Sequence, residues 1–505
     1  MKRKFYIILL AVASISTVAC KKDFLEKTPS EQISNEQLDL LAIQDPTILN
    51  GYINGIYGKM FEVGSGGTTG HDDFGQKGYD MYADMLAGDM VLAGTNYGWY
   101  SNIANLTATV NYTVNQAYMP WRYYYSIIYA ANTVIESLGG NDANPEEVVK
   151  AQMIGQAKAL RAYAYFYLAN FYSKEGYGTG NEKILPLYIV PGTVNNPKST
   201  AKEIYDQMVD DLDDAIVKLD GFSRGNAKHA VNQSVAKGLL SYVLAARGAN
   251  ADLQRVVSLT NEIISSKEFN MTDSLEAVAN FNEAGELQNL QSGFNSVSTK
   301  SWMWAVDLTL ANNLDLVSWW GQVDLFTYSY AWAGDPKIID DGLYAEIKDQ
   351  DIRKRQFDED LWPINKFFAP DRRIGGQRNV ITDYVYMRLD EMVLLNAEAN
   401  ARLGNSAAAI ASLKSLLKLR FADEADYSYV DGLSGSALLK EIYLQTRIEL
   451  WGEGKTYLAL KRNKESLTRG SNHLFYAGDT YQYNDPAITF LIPQAEELNN
   501  PNLNK

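Results

Sequence analysis

Residues 146–172 are apolar on two sides of one helix, and this constrains the fold more than any other feature of the chain. Ala157, Leu160, Ala164, Tyr167 and Phe171 fall at steps of three and four, which is one helical face. Tyr163, Phe166 and Leu168 form a second stripe. A helix with two apolar faces has to be covered on both, so neighbouring helices must pack on either side of it. Its alanines alternate with large rings, which lets those neighbours approach closely and interdigitate.

The neighbours can be found by the same spacing. Trp121, Tyr125, Ile128, Ala131, Ile135 and Leu138 mark one face over 118–138; Gly139-Gly140 ends that helix and Pro145 opens the next. Helical spacing also covers 47–62, 76–88, Ser199–Leu219, Gln233–Arg247 and Leu253–Ser266, then 385–403, 406–420 and 437–462. These segments predict antiparallel helix pairs about the length of tetratricopeptide units, with Ala162-x3-Phe166 and Leu403-Gly404 as fragments of that repeat's pattern. Residues 270–383 differ. Helical spacing fades there, Gly, Asn, Asp, Trp and Tyr rise, and Ser301–Val306 alternates as a strand does. A long irregular interval this rich in rings is expected to carry function. The glycines of Gly64–Gly70 are not followed by Gly-Lys-Ser/Thr, so a flexible loop is expected rather than a phosphate cradle.

Composition removes several classes of function. The 505 residues carry a formal charge of −15, which argues against a general nucleic-acid binder. One cysteine allows neither an internal disulfide nor a thiolate zinc site, and His71, His229 and His473 have no i, i+4 pairing for zinc. Asp210, Asp211, Asp213 and Asp214 are expected on a solvated helix face. Asp340-Asp341-Gly342 has carboxylates for a structural calcium ion but not the full spacing of an EF-hand; no other cofactor is expected. Tyrosine is abundant, at 33 residues, and suits half-wet surfaces.

Lys2, Arg3 and Lys4 precede an apolar run from Phe5 to Val18, then Ala19 and Cys20. A positive start, a short apolar stretch and a small-residue exit make 1–19 a lipoprotein signal peptide, with Cys20 as the lipidated residue. The run is too short for a comfortable membrane span, so the expectation is a protein anchored to a membrane rather than spanning it. The polar stretch Lys21–Ser34 then serves as a tether.

Six segments, in order, resemble the SusD/RagB family of Bacteroidetes outer-membrane nutrient-binding lipoproteins. They are Cys20–Glu26, Ala157–Leu168, Asp351–Lys354, Arg388–Ala399, Arg447–Gly454, and Ile492–Glu496 with Asn500–Leu503. Thr456, Ala459 and Asp390 depart from the residues common in the family, which speaks against a starch-specific branch. The resemblance implies a mostly α, SusD-like fold: about four tetratricopeptide-like helix pairs plus an irregular, loop-rich ligand-binding region with short strands. It divides the mature chain into an N-terminal part, 20–270, and a C-terminal part, 271–505. It also implies an outer-membrane location facing the cell exterior and a SusC-like TonB-dependent transporter barrel as partner. Family members capture glycans, some capture peptides, and they are not enzymes. A glycoside hydrolase and a pure protein-interaction scaffold are the remaining alternatives.

A sugar offers C–H groups on its faces and hydroxyls at its rim, so flat rings interleaved with amides are the pattern to find. Two segments have it. The first holds Asn96, Tyr97, Trp99, Tyr100 and Asn102. The second holds Trp319 and Trp320, continued by Tyr328, Tyr330 and Trp332. Adjacent tryptophans on a strand point to opposite faces, so at least one of Trp319 and Trp320 is expected to face outward. Trp121, Trp302, Trp304 and Trp451 are expected in the core. Two or three stacked rings, after ordering costs, predict affinities of about millimolar to micromolar.

Overall fold

The computed structural model describes residues 50–289 and 291–505; the signal segment, Cys20 and the tether lie outside the described residues. Helices of eight or more residues run as α1 (Asn50–Lys59), α2 (Gln76–Leu86), α3 (Asn115–Ser137), α4 (Val148–Tyr172), α5 (Ala201–Lys218), α6 (Gln233–Arg247), α7 (Asn250–Ser265), α8 (Leu389–Arg402), α9 (Ser406–Leu417), α10 (Gly435–Glu449) and α11 (Thr456–Asn463). The two-faced helix is α4, buried without interruption from Met153 to Tyr172. It packs between α3 and α5, as its two stripes require. At Gly155 a Cβ would lie 3.0 Å from Leu219 Cγ, so the missing side chain lets the end of α5 press against α4.

From α5 the stack continues through α6 and α7. It is then joined by α8, which arrives after the irregular interval and packs on both α7 and α9. Helices from both halves of the sequence therefore share one row, and Tyr52–Lys505 pack as one unit. Short strands β1 (Met90–Leu92), β2 (Lys183–Pro186), β3 (Lys198–Thr200), β4 (Trp302–Val306), β5 (Lys337–Ile339) and β6 (Tyr384–Arg388) pair antiparallel as β1–β5, β2–β3 and β4–β6. The strand expected at 301–306 is β4, and Trp302 and Trp304 are buried, as is Trp451.

Three expectations need correction. The segment 385–403 is not one helix, because Tyr384–Arg388, opened by the strand-favouring Tyr384, Val385 and Tyr386, pairs with β4 first and the helix starts at Leu389. The segment 437–462 is two helices. Gly452 and Gly454 adopt positive φ between them, and a Cβ on Gly454 would run into the Asp80 carboxylate. The acidic run on α5 is solvated only in part. Asp211 is fully buried, where its carboxylate accepts from Arg161 Nε at 2.8 Å and Nη2 at 2.6 Å. Asp214 pairs with Lys158 and Lys218, and Asp213 with Arg255.

The interior where the late helices meet the irregular region is ionic. Glu449, at the end of α10, accepts from Arg353 at 3.0 Å, from Arg388 at 2.8 Å and from Arg420 at 2.8 and 2.7 Å. Arg388 also bonds Glu453 at 2.8 Å and Asp390 at 3.0 Å, Arg353 binds Asp351, and Lys366 reaches Glu453 at 3.0 Å. Four cations face four carboxylates, all buried. The segments around Asp351, Arg388 and Arg447 that resemble the family's motifs are thus the struts of one network.

Asp84 on α2 is buried beside it and accepts from Gly454 N at 3.1 Å and Thr456 Oγ1 at 2.9 Å. Burial pushes its carboxyl up to about 7. The unfolded chain releases this proton near pH 4 and the folded chain near 7, so this group lowers stability as pH rises through that window. Asp84→Asn is expected to gain on wild type by ~2–3 kcal/mol between pH 5 and 7.5, at about 1.4 kcal/mol per unit, in paired urea titrations.

Candidate functional site

The two ring-rich segments meet. The loop after β1 carries Tyr97 and Trp99; the turn before β5 carries Tyr330. Tyr97 and Tyr330 lie edge to face at 5.2 Å between centroids, and Trp99 and Tyr330 at 6.3 Å. The segments are held in place by backbone. Asp335, itself buried, accepts from Tyr97 N at 3.0 Å and Gly98 N at 3.1 Å. Asn96 donates to Ala333 O at 3.1 Å, and a side chain on Gly334, at φ 106°, would collide with the Asn96 amide. Tyr330 N donates to Gly321 O at 2.7 Å, which fixes the turn to the short helix Trp319–Val323.

His71 completes the cluster. Its imidazole stacks on Trp99 at 4.9 Å and 7°, and Nδ1 is hydrogen-bonded to the Tyr330 hydroxyl. The loop before it wraps Asp73, whose carboxylate accepts from Gly66 N at 2.6 Å and Thr68 N at 2.8 Å. Sequence reasoning excluded zinc at His71 and assigned it nothing else; no spacing links it to Trp99 or Tyr330, so nothing in the sequence marked it as a ring support. Tyr97 is 61% exposed and Trp99 is half-buried, so these two rings face outward; Tyr330, expected among the ligand contacts, is buried and instead backs them from beneath, tied to His71 and to Gly321. A second ring pair lies on the same turn, with Tyr328 and Trp332 at 5.7 Å, Trp332 exposed and Arg378 over Tyr328 at 4.7 Å.

Not every candidate belongs to this surface. Trp319 and Trp320 are both buried, against the expectation that one faces outward. They open a helix capped by Ser318, not a strand, so consecutive side chains need not point to opposite faces. Trp319 packs on Phe367 at 5.3 Å under the ammonium of Lys77, and Trp320 Nε1 donates to Thr382 O at 2.7 Å. Tyr100 is also buried, in a left-handed conformation against Tyr82 at 5.7 Å, where it anchors the loop instead of contacting ligand. Asn102 is half-buried and donates to Gln116, which in turn donates to Asp72, so its amide supports the loop from behind.

Asp340 and Asp341 direct their oxygens at donors of the chain. Asp340 accepts from Leu343 N, Gly470 N and His473, and Asp341 from Ser471 N. A separate cleft of about 390 Å³ lies along α3, lined by Tyr118, Arg122, Tyr125, Tyr129 and Tyr188. The stripe through Trp121 and Tyr125 was assigned to packing; the exposed Tyr129, four residues on from Tyr125, was the signal for this groove.

Removing the carboxylate beneath the platform tests its construction. Asp335→Ala leaves the N–H groups of Tyr97 and Gly98 without an acceptor and is expected to cost about 1–3 kcal/mol in urea denaturation.

Two family models match the chain: one described as "Starch-binding associating with outer membrane", over residues 23–244, and one described as "SusD family", over residues 331–503. A SusD-like protein of Formosa agariphila is 25% identical over 166 residues, 33% of this chain and 30% of the relative's own length. Among solved structures, a SusD-like carbohydrate binding protein from Bacteroides vulgatus superposes with a TM-score of 0.72 at 22% identity, covering 90% of this chain and 96% of that one. Surface glycan-binding protein A from Bacteroides uniformis superposes at 0.63 with 17% identity, covering 91% and 98%. With a helical stack closed by a late helix, short paired strands and matches in both halves of the sequence, the chain belongs to the SusD/RagB family, a family of carbohydrate-binding proteins.

Proposed function

We propose that this protein captures oligosaccharides at its surface and hands them to a TonB-dependent barrel of the SusC type, without chemical change to the cargo. The observation that carries this reading is the outward-facing pair Tyr97 and Trp99, held edge to face on the buried Tyr330 of a distant segment. Rings of this kind cover the C–H faces of sugars. The exposed Asn96, through the amide oxygen that its bond to Ala333 leaves free, and the hydroxyl of the exposed Tyr97 can bond the sugar's hydroxyls. The family description, with its outer-membrane association, supports the location. In this reading Cys20 carries the acyl chains and the protein faces the exterior, where it covers the barrel as a lid. Weak binding, of about millimolar to micromolar, suits a protein that must release its cargo.

Calorimetric titration of the purified chain against panels of neutral oligosaccharides and of peptides tests this. Saturable binding of an oligosaccharide, recovered unshortened after incubation, is expected. Binding of peptides alone would replace glycan by peptide as cargo, and sustained appearance of shortened sugars would make the protein a hydrolase.

A further inference from the structure

A large cleft away from the aromatic platform carries positive charge on an acidic protein. It encloses about 790 Å³ where the link between α5 and α6 faces the ends of the links around residues 267–270 and 298–300. Arg224, Lys228, Lys267 and Lys300 line it, with Glu268 as the one lining carboxylate. None of these four cations makes an ion pair among the described residues. Arg224 spends its donors on carbonyl oxygens, Ala230 O at 2.8 Å and Met303 O at 2.6 Å, and Lys228 donates to Thr299 O at 2.7 Å. Glu268 accepts from Asn232 Nδ2 at 2.7 Å and Ser234 Oγ at 2.6 Å, both on the same wall, and pairs with none of the four cations.

The chain has 61 carboxylates against 46 Lys and Arg, so four cations sharing a cleft with one acid reverse the local balance. Burial, with Arg224 adding its own charge, holds the Lys228 ammonium down at about 8, against a smaller opposing pull from Glu276. That is the direction taken by a cation whose neighbours do not compensate it. The cleft is far larger than a single oxyanion needs and falls within the range of small-molecule sites. Besides the charges, its wall offers the amide of Asn270, the amide oxygen of Gln233, whose nitrogen donates to Ile216 O and Asp220, the hydroxyl of Ser298 and the rings of Phe222 and Phe269. Charge for an acid, amides and hydroxyls for a polyol and two apolar rings together describe an acidic sugar chain.

We propose that this cleft is a second saccharide site, one that takes oligosaccharides carrying carboxylate or sulfate groups. The choice of a sugar rests on the carbohydrate reading above; the choice of an anion rests on the cleft alone. Lys267 and Lys300 are exposed, so reversing both leaves the buried contacts of the fold in place.

The experiment is calorimetry on the purified full chain with an oligogalacturonide, a sulfated galactan oligosaccharide, a neutral oligosaccharide from the panel above, and sodium sulfate. At least one acidic oligosaccharide should bind at 50 mM salt and weaken by about tenfold or more at 500 mM, because exposed charges are screened. In Lys267→Glu/Lys300→Glu its affinity should fall by a further factor of about ten, with the melting temperature and the affinity for the neutral oligosaccharide unchanged. Binding of neither acidic oligosaccharide, or unaltered binding in the double variant, overturns the site. Free sulfate binding as tightly as the sulfated oligosaccharide overturns the ligand class. If the acidic probes behave as expected while no neutral sugar binds, the cleft stands and the aromatic platform fails.

Discussion

Glu449→Ala should destabilise the protein by about 3–5 kcal/mol, the cost of removing one partner from a buried ion network. Glu449 is buried and accepts from three guanidinium groups, those of Arg353, Arg388 and Arg420. Truncation leaves those charges short of a carboxylate in a site that water does not reach. Glu449→Gln keeps the shape and loses the charge, so it should fall between wild type and Ala. Although burial alone would raise it, Arg420 and Arg388 hold the Glu449 carboxyl well below its usual range, and Arg388 and Lys366 hold Glu453 down to about 2. Depressed carboxyls stabilise the fold above the unfolded value near 4.5, and that contribution is lost as pH falls toward 2. The Ala variant should therefore show a shallower acid transition as well as a lower urea midpoint. A loss below about 1 kcal/mol would mean that the network is not what joins the late helices to the irregular region.

Tyr97→Ala/Trp99→Ala is the second large effect, this time on binding. Stacking on an aromatic ring is worth about 1–3 kcal/mol for a planar base, and a puckered sugar should gain near the lower end. Two rings then predict a loss of about 10- to 100-fold in affinity for a neutral oligosaccharide, at about 1.4 kcal/mol per tenfold. Tyr97 is largely exposed and Trp99 half-buried, so the fold should tolerate the change.

The helices were legible because their rule is local. The stripes of 146–172 required a neighbour on each side, and α3 and α5 supply them. Within the irregular interval the rings marked the right segments, but their direction was not legible. Whether Trp99 or Trp319 faces outward depends on contacts with Tyr330, His71 and Phe367, which no spacing encodes. The adjacent tryptophans misled because alternation holds for a strand, while the Ser318 cap starts a helix turn there. The family-like motifs placed Arg388 and Glu449 without their purpose; only the folded chain brings these residues, 61 positions apart, within 2.8 Å. The solvated reading of Asp211 failed for the same reason, since its partner Arg161 lies 50 residues away.

Of all the measurements, a comparison of Trp99→Ala with Trp319→Phe bears most directly on where sugar is held. Each variant is titrated with the oligosaccharide that wild type binds best, and its melting temperature is recorded. Trp99→Ala should lose about tenfold in affinity and melt as wild type does, whereas Trp319→Phe should melt lower and bind as before. Undiminished binding in Trp99→Ala, with the loss appearing instead in Trp319→Phe, would contradict the platform.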